Sequence, residues 1–491
     1  MRPWLVRHLV CPLHERLLGR RTLRFLRELE WSQWSAPDDL RRLQAIKLAA
    51  LLRHAAANTS FYRDRFRGAG VRPDDPDAPA SLHRLPFLNK DDIRGSIDAM
   101  LWHGCPGGLH VSHTGGSTGE PLTFYYDRRR QGYDQAARLR SQRWFGVRLG
   151  DPQLYLWGSP IEVGAADRMK RLRDRLFNHD LLDAFDMSPA RLDTYLDAWD
   201  RFRPVSLYGY PSSIAMFVQH AQWRGRRLDT SRLRAVFVTG EVCLPQDREA
   251  IGSYFRVPVA DGYGSRDGGF IAHECPHGRM HLTAENVLVE LIDGNGPAAT
   301  GEAGEIVITH LDAYAMPLIR YRTGDVGRLV PGRCACGRGL PLMDVVQGRT
   351  TDALHLRDGT VKHGLSIIYP LRALAGVRRF CVTQFETYGV LIEVVRNQNA
   401  DALTREKVLR SVRPVLGAEA AVTVRFVDDI PAAPSGKFRY VASHVRPSAK
   451  SQLGRTQLLR QSDAALSRGR GITRWEYDGA LDAAEVMSKD A

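Results

Sequence analysis

Two stretches of the chain bring together residue types that can do chemistry. Thr114-Gly115-Gly116-Ser117-Thr118-Gly119-Glu120-Pro121 sets glycines and hydroxyls side by side, just ahead of the strand-like Leu122-Thr123-Phe124-Tyr125-Tyr126. Glycine lets the backbone approach an anion closely, and amides and hydroxyls donate to its oxygens, so the run suits a triphosphate. It is not a Walker A loop, because no Lys follows the last glycine and the GxxxxGK[ST] spacing is missing. Alone, such a run is also what a flexible surface connection looks like.

The second stretch is split. Ala272-His273-Glu274-Cys275-Pro276-His277-Gly278-Arg279-Met280-His281 and Arg333-Cys334-Ala335-Cys336-Gly337 gather three cysteines and three histidines into two short segments. A structural zinc takes four soft or borderline ligands, and Cys275 with His281 from one segment and Cys334 with Cys336 from the other make a Cys3His set. His273 and His277 are substitute ligands. The spacing is not a pair of regular CxxC knuckles, so reduced turn cysteines are the alternative. With all four positions filled, such a metal ties two loops together and does not activate water.

Positioning these groups needs a large folded body. The chain has 491 residues, with 43% hydrophobic and 25% charged residues, room for roughly three domains at about 150 residues each. Global disorder, collagen and coiled coil are excluded. The net charge of +14 and pI near 9.6 point to anionic partners. The basic residues are scattered, without the aromatic interleaving of a stacking surface, so a nucleic-acid-binding role is rejected. Seven unevenly spaced cysteines are too few for a disulfide framework and point to a reducing, cytoplasmic setting. No apolar run is long enough for a transmembrane helix, and no secretory h-region opens the chain.

Along the chain, Leu13, Leu17, Leu18, Phe25, Leu26 and Leu29 recur at helical spacing among Arg16, Arg20, Arg24 and Arg27. Residues 1–38 therefore read as a basic amphipathic extension, one helix or two, packed on the main domain. Trp31 and Trp34 are the side chains through which it would make a weak peripheral membrane contact. A second helix is expected over Leu43 to Phe66. Beyond the Pro and Asp cluster from Arg72 to Pro79, short runs such as Leu154-Tyr155-Leu156-Trp157, Ala235-Val236-Phe237-Val238 and Glu305-Ile306-Val307-Ile308 alternate with helical patterns. This predicts an α/β fold, a large domain over 39–347 with sheets flanked by helices. Residues 348–445 switch to a small α+β unit, with strands at Phe380–Thr383, Gly389–Glu393 and Val422–Phe426 and a helix over about Ala402 to Leu416. The polar tail 446–491 is expected to be disordered.

Further runs, in order along the chain, give the phosphate loop its context. Asp261-Gly262-Tyr263-Gly264-Ser265-Arg266-Asp267-Gly268-Gly269, Tyr321-Arg322-Thr323-Gly324-Asp325, Gly348-Arg349-Thr350-Thr351-Asp352 and Pro434-Ser435-Gly436-Lys437 follow Thr114–Pro121. Together they resemble the ordered motifs of the adenylate-forming superfamily of acyl-CoA synthetases and adenylation domains. Asn58-Thr59-Ser60-Phe61-Tyr62, Leu85-Pro86-Phe87-Leu88-Asn89-Lys90-Asp91-Asp92-Ile93-Arg94 and Gly209-Tyr210-Pro211-Ser212 resemble the phenylacetate-CoA ligase-like branch, which includes capsule-biosynthesis and coenzyme F390 synthetase-like proteins.

The resemblance implies a large N-terminal domain with a small mobile C-terminal lid, and activation of a carboxylic acid with ATP and Mg²⁺ before transfer to coenzyme A. Thr114, Gly115, Gly116, Ser117, Thr118 and Gly119 would hold the β and γ phosphates. Asp267 would help coordinate Mg²⁺, Tyr263 and Gly264 would lie against the nucleotide, and Asp325 would accept from both ribose hydroxyls with Arg349 assisting. Lys437 would meet the incoming carboxylate and the α-phosphate, and Asp352 would be the hinge. Tyr208, Tyr210 and Pro211 would line an acyl pocket whose aromatic character suits an aryl acid. Each residue also has an ordinary reading: Asp325 as a turn cap, Lys437 as a solvated lysine, Tyr263 as core.

The chain departs from the pattern at Asp267, where Glu is usual, at Glu120, where Lys is frequent, and in Leu356-Arg357-Asp358-Gly359-Thr360-Val361-Lys362-His363-Gly364 after the hinge. These leave open an amine, a hydroxyl or a carrier-protein phosphopantetheine as acceptor, and a catalytically weakened scaffold as the reading of another class.

Overall fold

A computed structural model describes residues 1–445 except 76–77, 115–121, 158–172, 185–188, 295, 300, 348–353, 358–360, 363–366, 368–369, 372–373, 397–402 and 431–439. Gly115 to Gly119, Arg349, Asp352, Lys437 and the tail 446–491 lie outside the described residues.

A hairpin of β1 (His110–His113) and β2 (Thr123–Tyr126) precedes the main sheet. That sheet takes β3 (Gln153–Trp157), β4 (His179–Asp183), β5 (Ser206–Gly209), β6 (Ala235–Thr239), β7 (Val259–Ser265), β8 (Gly269–Glu274), β9 (Met280–Leu282), β10 (Val287–Asp293), β11 (Gly296–Pro297), β12 (Ala303–His310), β13 (Tyr321–Val330) and β14 (Leu342–Gln347). Their order is β11-β10-β12-β13-β14-β9-β8-β7-β6-β5-β3-β4.

The sheet changes character at β7, which runs parallel to β6 and antiparallel to β8. On the parallel side the crossovers are helices Pro189–Phe202, Pro211–Trp223 and Pro245–Phe255. Proline at the first helical turn is pre-set for the helical φ and gives up an amide that would have had no partner there. Ala235-Val236-Phe237-Val238 of β6 is fully buried, as a strand covered on both faces must be. On the antiparallel side the connections among the described residues are turns and loops without a helix.

The N-terminal segment is two helical pieces, and it begins earlier than the Leu13–Trp34 periodicity suggests. Pro3–Leu17 is helical with a π turn over Val6–Val10, the chain breaks at Gly19 in the left-handed region (φ 62°), and Thr22–Ser32 follows. Thr22–Ser32 packs on helix Arg128–Arg143, with Phe25 and Tyr133 stacked at 3.8 Å. Arg140 is buried between them and donates to Glu285 at 2.6 Å and to the Leu29 carbonyl at 3.2 Å, while Ser32 donates to the same carboxylate. Through these contacts the first helices share a core with helix Arg128–Arg143. The helix expected from Leu43 to Phe66 is divided into Pro37–Asn58 and Ser60–Gly68 by an extended Thr59, whose hydroxyl donates back to the Ala55 carbonyl.

In the smaller unit, β15 (Leu354–His355) and β16 (Val361–Lys362) pair, and β17 (Val377–Gln384), β18 (Val390–Arg396), β19 (Val422–Val427) and β20 (Val441–Ser443) form a sheet in the order β19-β18-β17-β20. Helix Arg405–Leu416, capped by the Thr404 hydroxyl, buries Val408, Val412 and Leu416 in a core with Phe380, Val382, Ile392 and Val394. The α+β reading of this region holds. No helix among the described residues is long and apolar enough to cross a membrane.

Candidate active site

In sequence the glycine-rich run falls between β1 and β2, and its residues 115–121 lie outside the described residues. At its neck the Thr114 amide donates to the Leu122 carbonyl at 2.9 Å, and the Leu122 amide donates to the Thr114 hydroxyl at 2.9 Å. This double link closes the β1–β2 hairpin at Thr114 and Leu122.

β7 carries Tyr263, and the turn to β8 carries Asp267. Arg266 donates to the His113 carbonyl at 3.4 Å, which ties this turn to the hairpin neck. Asp267 is buried and accepts from the Tyr321 hydroxyl at 2.5 Å. Gly268 donates to the Ser265 hydroxyl at 2.8 Å, closing the turn. From behind, the buried Arg130 guanidinium holds the Arg266 and Asp267 carbonyls at 3.0 and 2.5 Å. Arg130 opens its helix under an Asp127 cap whose second oxygen receives the Tyr314 and Ala315 amides.

β13 supplies Tyr321 and Asp325. The Tyr263 hydroxyl donates to Asp325 Oδ2 at 2.9 Å. In sheet order β8, β9 and β14 lie between β7 and β13, which in a flat sheet would separate them by about 19 Å. The side chains meet because this antiparallel part of the sheet coils over. Register shifts at Tyr263/Gly264, Glu305/Val307 and Val326/Gly327 are bulges that bend it. Burial, with the Asp325 carboxylate second, holds the Tyr263 phenol well above its usual pKa, so it stays a donor. The Asp261 carboxyl is pushed up to about 7, first by burial and then by Glu274.

The start of β13 is fixed from the Leu85–Asn89 segment. Leu88 donates to the Arg320 carbonyl at 2.9 Å and accepts from the Arg322 amide at 3.0 Å. Arg320 and Arg322 lie over Phe87, with distances of 4.3 and 4.9 Å to the ring centre. The motif that resembles the phenylacetate branch is thus the clamp for the strand bearing Asp325.

Tyr208 and Tyr210 both lie beside Trp157, whose ring centre is 5.8 Å from that of Tyr208. Tyr208 on β5 faces Tyr155 on β3, and Arg138 lies over both rings at 5.7 and 5.8 Å. Tyr210 is buried and stacked on Trp157 at 4.1 Å, and Pro211 is buried at the start of its helix. Of the three, only Tyr208 is partly exposed. Arg130 and Tyr321 were not singled out from the sequence for a role at the site. The one local signal was the Asp127-x-x-Arg130 cap, which says nothing of what the guanidinium reaches.

Cys275, His281, Cys334 and Cys336 come together, with all four ligand atoms within 4.8 Å of one another. Cys275 Sγ lies 3.6 Å from Cys334 Sγ, and Cys336 Sγ lies 3.3 Å from His281 Nε2. Tetrahedral zinc with bonds of about 2.0 to 2.3 Å sets its ligands about 3.3 to 3.8 Å apart, so the set fits that ion. The Leu340 carbonyl lies 3.4 Å from His281 Nδ1, the arrangement that leaves Nε2 toward the cysteines. Burial pushes His281 down to about 4, keeping it neutral, the form that binds metal. His273 turns away, its Nδ1 at 2.7 Å from the Glu274 carbonyl.

Comparison with known proteins gives concordant results. Residues 357–444 match the CapK C-terminal domain family. The chain is 27% identical over 340 residues to the phenylacetate-coenzyme A ligase of Aromatoleum evansii, covering 67% of this chain and 75% of that one. It is 22% identical over 419 residues to protein CapK of Staphylococcus aureus, covering 83% and 90%. In fold it is similar to a 2-hydroxyisobutyryl-CoA ligase solved in the postadenylation state, with a TM-score of 0.65 at 20% identity over 85% of this chain and 91% of that one. The chain is thus similar in sequence to phenylacetate-coenzyme A ligase and CapK, in residues 357–444 to the CapK C-terminal domain family, and in fold to a CoA ligase.

Proposed function

We propose that the protein is an AMP-forming acid–CoA ligase that activates a carboxylic acid, aryl in character, as its acyl-adenylate and then transfers the acyl group to coenzyme A. The observation that carries this reading is the convergence of the Thr114 neck, Asp267, Tyr263 and Asp325 across a coiled sheet. These groups come from three separated segments, around Thr114, over Asp261–Gly269 and over Tyr321–Asp325.

In the first half-reaction the substrate carboxylate forms a bond to the α-phosphorus of ATP and the bond to pyrophosphate breaks. Little proton transfer is needed, so positioning and charge neutralisation dominate. Asp325 accepts from the ribose hydroxyls, oriented by Tyr263. Asp267 is a hard oxygen donor held by Tyr321, which fits Mg²⁺, an ion that uses one or two carboxylates together with substrate phosphates. Magnesium at that place would offset phosphate charge. Lys437, brought by the small unit, adds positive charge where negative charge gathers. Zinc at Cys275, His281, Cys334 and Cys336 would hold two loops and take no part in the reaction.

The test is carboxylate-dependent exchange of labelled pyrophosphate into ATP over a panel of aryl and fatty acids, followed by coenzyme A-dependent thioester formation. Exchange with one acid class, lost in Lys437→Ala, is expected. ATP binding without exchange for any acid would count against catalysis and favour a scaffold.

A further inference from the structure

Eight of the fifteen exposed large apolar side chains among the described residues fall within the first 34 positions. Four of them, Trp4, Leu9, Leu13 and Leu17, are 65%, 61%, 56% and 77% exposed and lie on the helical run Pro3–Leu17. Leu9, Leu13 and Leu17 are four apart, so they stand one above the next. Trp4 precedes Leu9 by five residues, a step that a regular α-helix would rotate off the stripe. Over Val6–Val10 the helix is of the π type, and the Cys11 amide reaches back five residues to the Val6 carbonyl. The wider turn carries Trp4 back toward the leucine line.

The other side of this helix is already occupied. Val6 and Cys11 are buried, Cys11 in a cluster with Phe25, Leu26, Leu29 and Tyr133, and Pro3 and Val6 close against Gly150. The helix therefore has one apolar face on the protein and a second one turned outward.

Charge says what would cover the outward face. Residues 1–34 contain seven arginines and three acids. Each acid is engaged within the protein: Glu15 receives the Thr22 amide at 2.7 Å, Glu28 pairs with Arg24 at 2.8 Å, and Glu30 pairs with Arg143. Arg7 pairs with Asp151 and Arg24 with Glu28, and a tryptophan and leucine stripe among the other five arginines matches the interface of an anionic bilayer, where apolar groups enter the headgroup boundary and arginines meet lipid phosphates. Residues 446–491 hold eight Lys and Arg against six Asp and Glu, so the tail brings no net counter-charge. A second copy would set arginine against arginine.

We propose that the Pro3–Leu17 helix docks the protein peripherally on an anionic lipid surface through Trp4, Leu9, Leu13 and Leu17, flanked by Arg2, Arg16, Arg20 and Arg21. The test uses the full chain in flotation with vesicles of phosphatidylcholine alone or mixed equally with phosphatidylglycerol. The parent is expected to float with the mixed vesicles, less so as salt rises. Leu9→Glu with Leu13→Glu should lower that binding about tenfold, and Trp4→Ser should lower it less, both with unchanged thermal unfolding and pyrophosphate exchange. Failure of the parent to float, or equal binding by the double variant, overturns the proposal. A parent dimer that the same substitutions dissociate, without lipid binding, would assign the face to a second copy. Lipid binding gained only after removal of residues 446–491 would assign it to the tail.

Discussion

The Tyr263 hydroxyl and Asp325 Oδ2, 2.9 Å apart, orient one another, which suits the proposed contact of this carboxylate with ribose. Asp325→Ala removes a charged acceptor, and KM for ATP in the exchange assay should rise about tenfold or more. Tyr263→Phe removes only the orienting donor and should raise it about threefold. A second residue-scale consequence concerns pH. His179 is pushed down to about 3, first by burial and then by the Arg138 guanidinium. The unfolded chain therefore binds this proton between about pH 3 and 6.5 and the folded one does not, so stability is present above that window and is lost as pH falls through it. Between pH 7 and 5 the loss from this group is about 1 to 2 kcal/mol. Urea titrations at the two pH values should show a smaller difference for His179→Gln than for the parent.

Within the main sheet, β9 and β14 are paired through one register position, Leu342 with His281. A seam so short needs reinforcement, and the Cys275, His281, Cys334 and Cys336 cluster sits on it. Metal analysis should find about one zinc per chain, and Cys334→Ser should lose the metal and several degrees of thermal stability. The loop that brings Cys334 and Cys336 also grips the N-terminal segment. Gly339 donates to the Gln33 carbonyl at 2.9 Å, and a Cβ there would stand 1.8 Å from the Ser35 carbonyl oxygen. Gly339→Ala should therefore push the two backbones apart at a cost of about 2 kcal/mol or more in chemical denaturation.

For the whole molecule, the core of the smaller unit, from Leu354 to Val441, shares no residue with the clusters that fill the main sheet. A unit with its own core can turn as a body, which suits two half-reactions served by two faces of a lid. Asp352→Pro should restrict the backbone at the proposed hinge. Pyrophosphate exchange is expected to survive in that variant while thioester formation stops, and equal loss of both would contradict a two-position lid.

The sequence by itself determined what is local. Each motif is a run of consecutive residues, so Thr114–Pro121, Asp261–Gly269 and Tyr321–Asp325 could be picked out with no knowledge of sheet order. The Cys3His set was legible for the same reason, since ligand chemistry and short spacing narrow the choice to a few side chains. Only the tertiary structure decided which groups touch. The Tyr263–Asp325 bond spans three intervening strands, Arg130 reaches the Asp267 carbonyl from another helix, and Tyr210 goes to the core because β3 places Trp157 beside it. The outward stripe of Pro3–Leu17 belongs to the same class, because a π turn shifts the register by an amount that α-helical periodicity does not contain. Such contacts depend on sheet coiling, bulges and helix register, which are set by the packing of the whole chain.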